Sequence, residues 1–178
     1  FIDHLSPTGR AGVIVPNGVL FGGNKAAVKI RELLVNEYGL QAVISLASGM
    51  FKPYSGVGTA ILVFDRTKAK RKKDDFVWFY DVTADGFSLD DKRTPIEAND
   101  IPDVIAKWEK CEEGANSYRV PIAKILESED YSLSAGRYRL VTAQATNHDT
   151  PKDILSEVLE LEDEITKKTK HLKKKKKK

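Results

Sequence analysis

A chain of 178 residues, 41% hydrophobic and 31% charged, is long enough to bury one sizeable core and has the balance of an ordinary soluble domain. Its single cysteine, Cys111, excludes an internal disulfide. No apolar run approaches the roughly 18 residues that span a bilayer, and no signal peptide opens the chain, so a cytoplasmic setting is expected. The formal charge of +3 misleads: residues 167–178 hold nine of the 29 basic side chains and no acid, which leaves 20 basic against 26 acidic groups in the rest, a balance of −6.

In chain order, Gly9 to Val15 reads as a turn and a short apolar strand, stopped by Pro16-Asn17-Gly18. From Asn24 to Glu37, Ala27, Ile30, Leu33 and Leu34 recur at helical spacing. Lys25, Lys29, Arg31 and Glu32 fall largely between them, and Gly39 sits where a helix end favours a left-handed residue. Gln41 to Leu46 is the next strand, and strand, helix and strand together predict a βαβ unit in a mainly parallel sheet. The 47–57 loop is too short for a helical crossover, so the very apolar strand from about Gly58 to Phe64 is expected to return antiparallel. Residues 65–75 form a basic loop, either a solvated hairpin tip or a nucleic-acid contact. Phe76 to Val82 then adds another strand to the same sheet.

Beyond Thr83 the pieces are short and turn-rich. Asp100 and Pro102 open a helix to about Lys110 that is predicted to bury Val104, Ile105 and Trp108. Tyr118 to Val120 is extended, and Ile122 to Leu126 forms a short helix. Thr150 and Pro151 open a last helix whose apolar positions Ile154, Val158, Leu161 and Ile165 follow coiled-coil spacing. So short a seam implies a partner helix, in the same chain or another. Lys173 to Lys178 repel one another and stay solvated, as a sequence-end artefact or as a basic tail that attracts nucleic acid. The first residue is Phe1 and the only methionine is Met50, so the chain is expected to be a piece of a longer protein, cut at both ends.

Motifs that carry chemistry are sparse. His4, His148 and His171 have no second ligand at metal spacing, so no metal site is expected. There is no nucleophile elbow, and Gly56-Val57-Gly58 lacks the third glycine of a dinucleotide fingerprint and enters a strand rather than a helix. One stretch stands out, the loop "GMFKPYSGVG" that runs into the buried strand. Its Phe51 is either a loop residue folded onto the core edge or an aromatic held rigidly for a ligand.

Four segments in order, "GRAGVIVPNGVLFGG", "LASGMFKPYSGVGTAILVFD", "VWFYDVTADGFSLDDKRTPI" and "YSLSAGRYR", strongly resemble the C-terminal part of the modification (M) subunit of type I restriction-modification systems, over about residues 1–165. That subunit is an adenine-specific N6 DNA methyltransferase. The resemblance implies an α/β fold: the C-terminal half of a Rossmann-like S-adenosylmethionine-dependent sheet with an antiparallel closing hairpin, a small mixed extension and a C-terminal helix. Its segments would be residues 1–83, 84–149 and 150–172, ahead of the lysine tail 173–178. It also implies that Phe51 stacks on the flipped target adenine. By position, Lys52 and Tyr54 either contact DNA or base or pack on the surface. Asn17, at the C-terminal end of a parallel strand where ligands of open α/β sheets bind, is either a further contact or part of a plain turn. The seam at Ile154, Val158, Leu161 and Ile165 would meet the specificity (S) subunit, with a second M subunit and a restriction (R) subunit as further partners. The family's Gly-rich methyl-donor motif and its Asn-Pro-Pro-aromatic tetrapeptide are not in these residues, so S-adenosylmethionine would be held mainly by a missing N-terminal half, with no catalytic residue here and no turnover by the fragment alone. The alternative is a non-enzymatic nucleic-acid or protein-interaction module.

Overall fold

The structure, a computed structural model, describes residues 4–69, 72 and 74–139, and positions 155, 159, 161, 162, 165, 166 and 168 near the C-terminus. The chain divides into two compact units, one ending at Arg139 and one beginning at Leu140.

The first unit is built on a five-stranded sheet in the order β1-β3-β2-β4-β7. Its strands are β1 (Arg10–Pro16), β2 (Leu40–Leu46), β3 (Thr59–Asp65), β4 (Phe76–Val82) and β7 (Ser117–Pro121). A separate pair, β5 (Asp85–Phe87) and β6 (Pro95–Asn99), forms a two-stranded ribbon. The helices are α1 (Gly18–Phe21), α2 (Lys25–Asn36), α3 (Ile101–Trp108), α4 (Ile122–Leu126) and α5 (Ala135–Tyr138).

Strand β3 returns antiparallel to β2, as the short loop before it requires, and it also pairs antiparallel with β1. It therefore lies between β1 and β2, the two strands of the βαβ unit. The expected mainly parallel sheet is corrected accordingly: among the described residues only β2 and β4 pair in parallel, while β1–β3, β2–β3 and β4–β7 are antiparallel. Strand β4 joins the same sheet as expected.

Alternation of side chains across the pleat fills both faces. Val43, Leu62, Phe64, Val77 and Phe79 pack with Leu34 and Val35 of α2 on one face. Ala42, Ile44, Leu46, Trp78 and Tyr80 face Val104 and Trp108 of α3 on the other. The Trp78 indole donates to Glu112 O at 3.0 Å and lies 5.8 Å from the Trp108 ring, which fixes α3 against the sheet.

Two helical faces differ from expectation. In α3, Val104 and Trp108 are one turn apart and meet the sheet, whereas Ile105, about 100° further round the helix, is 67% exposed. In α2 the buried face is Ala27, Arg31, Leu34 and Val35, and Ile30 points outward. Gly39 does take a left-handed conformation, φ +62°, after α2. In the second unit, positions 155, 159, 161 and 165 are helical, and Leu155, Leu159, Leu161 and Ile165 are exposed. Thr150, Pro151, Ile154, Val158 and Lys173 to Lys178 lie outside the described residues.

Candidate functional site

Register brings three strand ends to one edge of the sheet. Pro16 lies opposite Thr59, Leu46 opposite both Thr59 and Val82, so β1, β2 and β4 end together. In open α/β sheets the C-terminal ends of parallel strands form the usual ligand crevice. Asn17, the 47–58 loop and Thr83 all leave the sheet here.

The loop folds as tight consecutive turns. Met50 N donates to Ala47 O at 3.4 Å, Lys52 N to Gly49 O at 3.1 Å, and Tyr54 N and Ser55 N both donate to Phe51 O, at 3.0 and 2.9 Å. The Lys52–Pro53 peptide is cis. Met50 is buried among Ala42, Ile44, Trp78 and Tyr80, plugging the loop into the core. Its neighbour Phe51 is 38% exposed and Tyr54 is 95% exposed. One residue anchors and the next is displayed.

The β5–β6 ribbon backs this loop. A Cβ on Gly49, whose φ is +94°, would stand 2.6 Å from Leu89 O, so the two backbones are in direct contact. Lys52 Nζ pairs with Asp91 Oδ1 at 3.2 Å, turning its ammonium toward the ribbon tip. That tip is itself stiff. The Asp90 carboxylate accepts from Lys92 N, Arg93 N and Ser88 Oγ, bonds that hold its pKa below the ordinary carboxylate value. Arg93 pairs with Asp85 and lies 5.4 Å over the Phe87 ring.

Asn17 closes the other flank. Its N–H donates to Gly58 O at 3.0 Å, and its carbonyl accepts from Leu20 N at 2.9 Å. A Cβ on Gly58 would come within 2.7 Å of Asn17 Nδ2 and 3.0 Å of Ser48 Oγ, so the amide lies against the loop backbone. Asn17 Oδ1 and Thr59 Oγ1 are buried with no hydrogen-bond partner among the described residues. The structure thus places Phe51, Lys52, Tyr54 and Asn17 at one edge, with Phe51 and Tyr54 displayed, Lys52 ion-paired and Asn17 packed inward.

Sequence reasoning missed Arg31. It is fully buried, and its guanidinium donates to Val19 O at 2.7 Å, Gly22 O at 3.0 Å and Asp130 O at 3.0 and 2.8 Å. Burial pulls its pKa down, partly offset by Asp130. These bonds tie α1, which follows Asn17 directly, to α2. The signal was available in spacing, since Arg31 is four residues after Ala27 and four before Val35, on the same helical face.

This edge, with a braced loop displaying Phe51 and Tyr54 beside converging strand ends, defines an α/β protein that presents aromatic rings at the C-terminal end of its sheet. The comparisons give the class a family. The profile described as N-6 DNA Methylase matches residues 1–149, so the chain belongs to that family. It is 37% identical over 108 residues to the type I restriction enzyme EcoEI methylase subunit of Escherichia coli, covering 60% of this chain and 21% of that protein. Among solved structures, a chain from a type I restriction-modification system, described for its complex assembly and conformational transition, superposes with a TM-score of 0.64 at 26% identity, covering 96% of this chain and 37% of the other. The type I methyltransferase subunit from Streptococcus thermophilus superposes with a TM-score of 0.60 at 25% identity, covering 76% and 28%. The chain spans about a fifth of the length of the curated relatives it matches.

Methyltransferases of this kind use S-adenosylmethionine. Of the glycines at this edge, Gly49 is closed off by Leu89 backbone and Gly58 by the Asn17 amide and the Ser48 hydroxyl, whereas a Cβ on Gly18 would meet nothing within 4 Å and one on Gly56 only Lys52 Cε at 3.8 Å. Among the described residues no cluster of His, Cys, Asp or Glu could hold a metal ion, and no helix is long and apolar enough to cross a membrane.

Proposed function

We propose that this chain is part of an adenine-specific DNA methyltransferase of the type I modification-subunit kind, and that Phe51 is the residue on which the extruded target adenine stacks. The observation that carries the reading is the contrast between Met50 and Phe51: buried anchor followed by exposed ring, on a loop braced from both sides. A base cannot be modified inside the duplex stack, and extruding it costs a few kcal/mol. Stacking on an aromatic side chain returns about 1–3 kcal/mol of that cost. A ring fixed before the base arrives loses little further freedom, which is the benefit of a braced loop. Tyr54, almost fully exposed beside it, supplies a second aromatic surface, whereas Lys52 would meet a phosphate only by leaving Asp91.

The methyl donor would be bound mainly by chain outside these 178 residues, and the fragment alone would be inactive. Membership of the family, together with a span of only about a fifth of its relatives' length, supports that division. The partners of the reading are DNA, an S subunit, a second M subunit and an R subunit. The exposed Leu161 and Ile165 of the C-terminal helix, which the sequence spaces at coiled-coil intervals from Ile154 and Val158, support the S-subunit contact. The test is reconstitution: the 178-residue chain is combined with the N-terminal half of a relative and an S subunit, and labelled methyl transfer to adenine in DNA is followed. Transfer by the mixture and by neither half alone is the expected result. A mixture that stays inactive, although the halves and the S subunit co-elute, would count against the reading.

A further inference from the structure

At the opposite edge of the sheet, where β2 and β4 begin, lies a cleft of about 510 Å³. One wall is the Arg66–Lys68 turn with Lys72 and Asp75, and the other is the turn after α3, Glu109 to Cys111. Three lysines, Lys68, Lys72 and Lys110, line it together with two acidic residues, Asp75 and Glu109. Asp75 is already engaged, accepting from Lys72 N at 2.8 Å. Neither Lys68 nor Lys72 forms an ion pair with a described residue, and Lys110 reaches only the half-exposed Glu112, at 3.7 Å.

The second wall is held in place before any ligand arrives. Arg119 donates to Cys111 O at 2.8 Å and to Lys110 O at 2.9 Å, while its guanidinium covers the Phe76 ring at 4.8 Å. Burial pushes the Cys111 thiol pKa up, and Arg119 and Lys68 pull it partly back. Three lysines around one cleft, one of them on a braced turn, suit a compact, multiply charged oxyanion, because a phosphate presents acceptors to several donors at once.

We propose that this cleft binds a phosphate group through Lys68, Lys72 and Lys110, at a site separate from the Phe51 crevice. The two are divided by the seven-residue length of β2, roughly 20 Å at the ordinary rise per strand residue. The phosphate comes either from a nucleic-acid backbone or from a free phosphate or phosphoester, and the chemistry of recognition is shared.

Cys111 lines the cleft and is the only cysteine in the chain, so its alkylation reports on occupancy there and nowhere else, including the lysine tail. The full chain is treated with iodoacetamide at fixed ionic strength in chloride, in inorganic phosphate, and with a short duplex of G·C pairs only. That duplex offers no adenine to the Phe51 crevice. Several-fold slower labelling with either phosphate source is expected, abolished in Lys68→Gln/Lys110→Gln and kept in Lys68→Arg/Lys110→Arg. Protection by the duplex assigns the site to nucleic acid; protection by inorganic phosphate alone assigns it to a free phosphate. Labelling unaffected by both, or equal protection in the Gln variant with its unfolding midpoint unchanged, overturns the proposal.

Discussion

Gly49 and Leu89 meet backbone to backbone, with no room for a Cβ: one built on Gly49 would lie 2.6 Å from the Leu89 carbonyl oxygen. The same residue holds φ +94°, which a side chain resists. This contact carries the β5–β6 ribbon's stiffness into the loop that displays Phe51. Gly49→Ala is expected to destabilise the chain by about 1–3 kcal/mol, read from urea unfolding, through combined strain and clash. A variant within a few tenths of a kcal/mol of wild type would show that loop and ribbon are not coupled.

Arg31 is a rivet rather than a surface charge. Removing it leaves Val19, Gly22 and Asp130 carbonyls without their donor, each at a cost of about 1–3 kcal/mol, partly relieved by eliminating a buried charge. Arg31→Met is therefore expected to lose about 3–5 kcal/mol in chemical unfolding. Arg31→Lys should recover only part, because one ammonium cannot span three carbonyls as a planar fork does.

Asp100 should make the unfolding transition sensitive to acid. Burial opposes its charge, but donors from Thr83 N (2.7 Å), Thr83 Oγ1 (2.8 Å) and Ala84 N (3.1 Å) outweigh it, and its pKa falls below the ordinary 3.8. A depressed folded pKa means that the contribution is full above about 3.8 and is lost as pH falls through the lower folded value. Asp100→Asn is expected to be less stable near neutrality and to show a shallower decline below about pH 4 in urea midpoints. A decline as steep as wild type would remove Asp100 from the acid limb.

The elements were legible because each kept one period. Strands 41–46, 58–64 and 76–82 are rich in apolar and aromatic residues, unbroken at 60–64, and the short loop after Leu46 dictates an antiparallel return. The pairing order was not legible, since nothing local says that β3 inserts between β1 and β2. Arg31 and Ile105 were misread for one reason: a charged residue was placed outside and an apolar one inside, while the helical angle put them the other way. At the site, "GMFKPY" marks a rigid loop by its glycine, proline and aromatics. Its supports, Leu89, Asp91 and Asn17, lie tens of residues away in sequence and could only be seen once folded.

The proposed contact between the C-terminal helix and an S subunit is open to a direct test. Val158→Asp/Leu161→Asp should abolish co-elution with the S subunit while leaving the unfolding midpoint of the first unit unchanged, because Leu161 is exposed. Undiminished co-elution would place the S-subunit contact elsewhere.

The stacking role of Phe51 is tested most directly by single-turnover methyl transfer in the reconstituted enzyme, comparing wild type with Phe51→Ala and Phe51→Trp. Loss of about 1–3 kcal/mol of base stacking corresponds to a rate about 5- to 160-fold slower in the alanine variant, with methyl-donor affinity unchanged and most of the rate restored by tryptophan. A Phe51→Ala enzyme that transfers methyl at the wild-type rate would contradict the account and return the ring to the role of a core-edge loop residue.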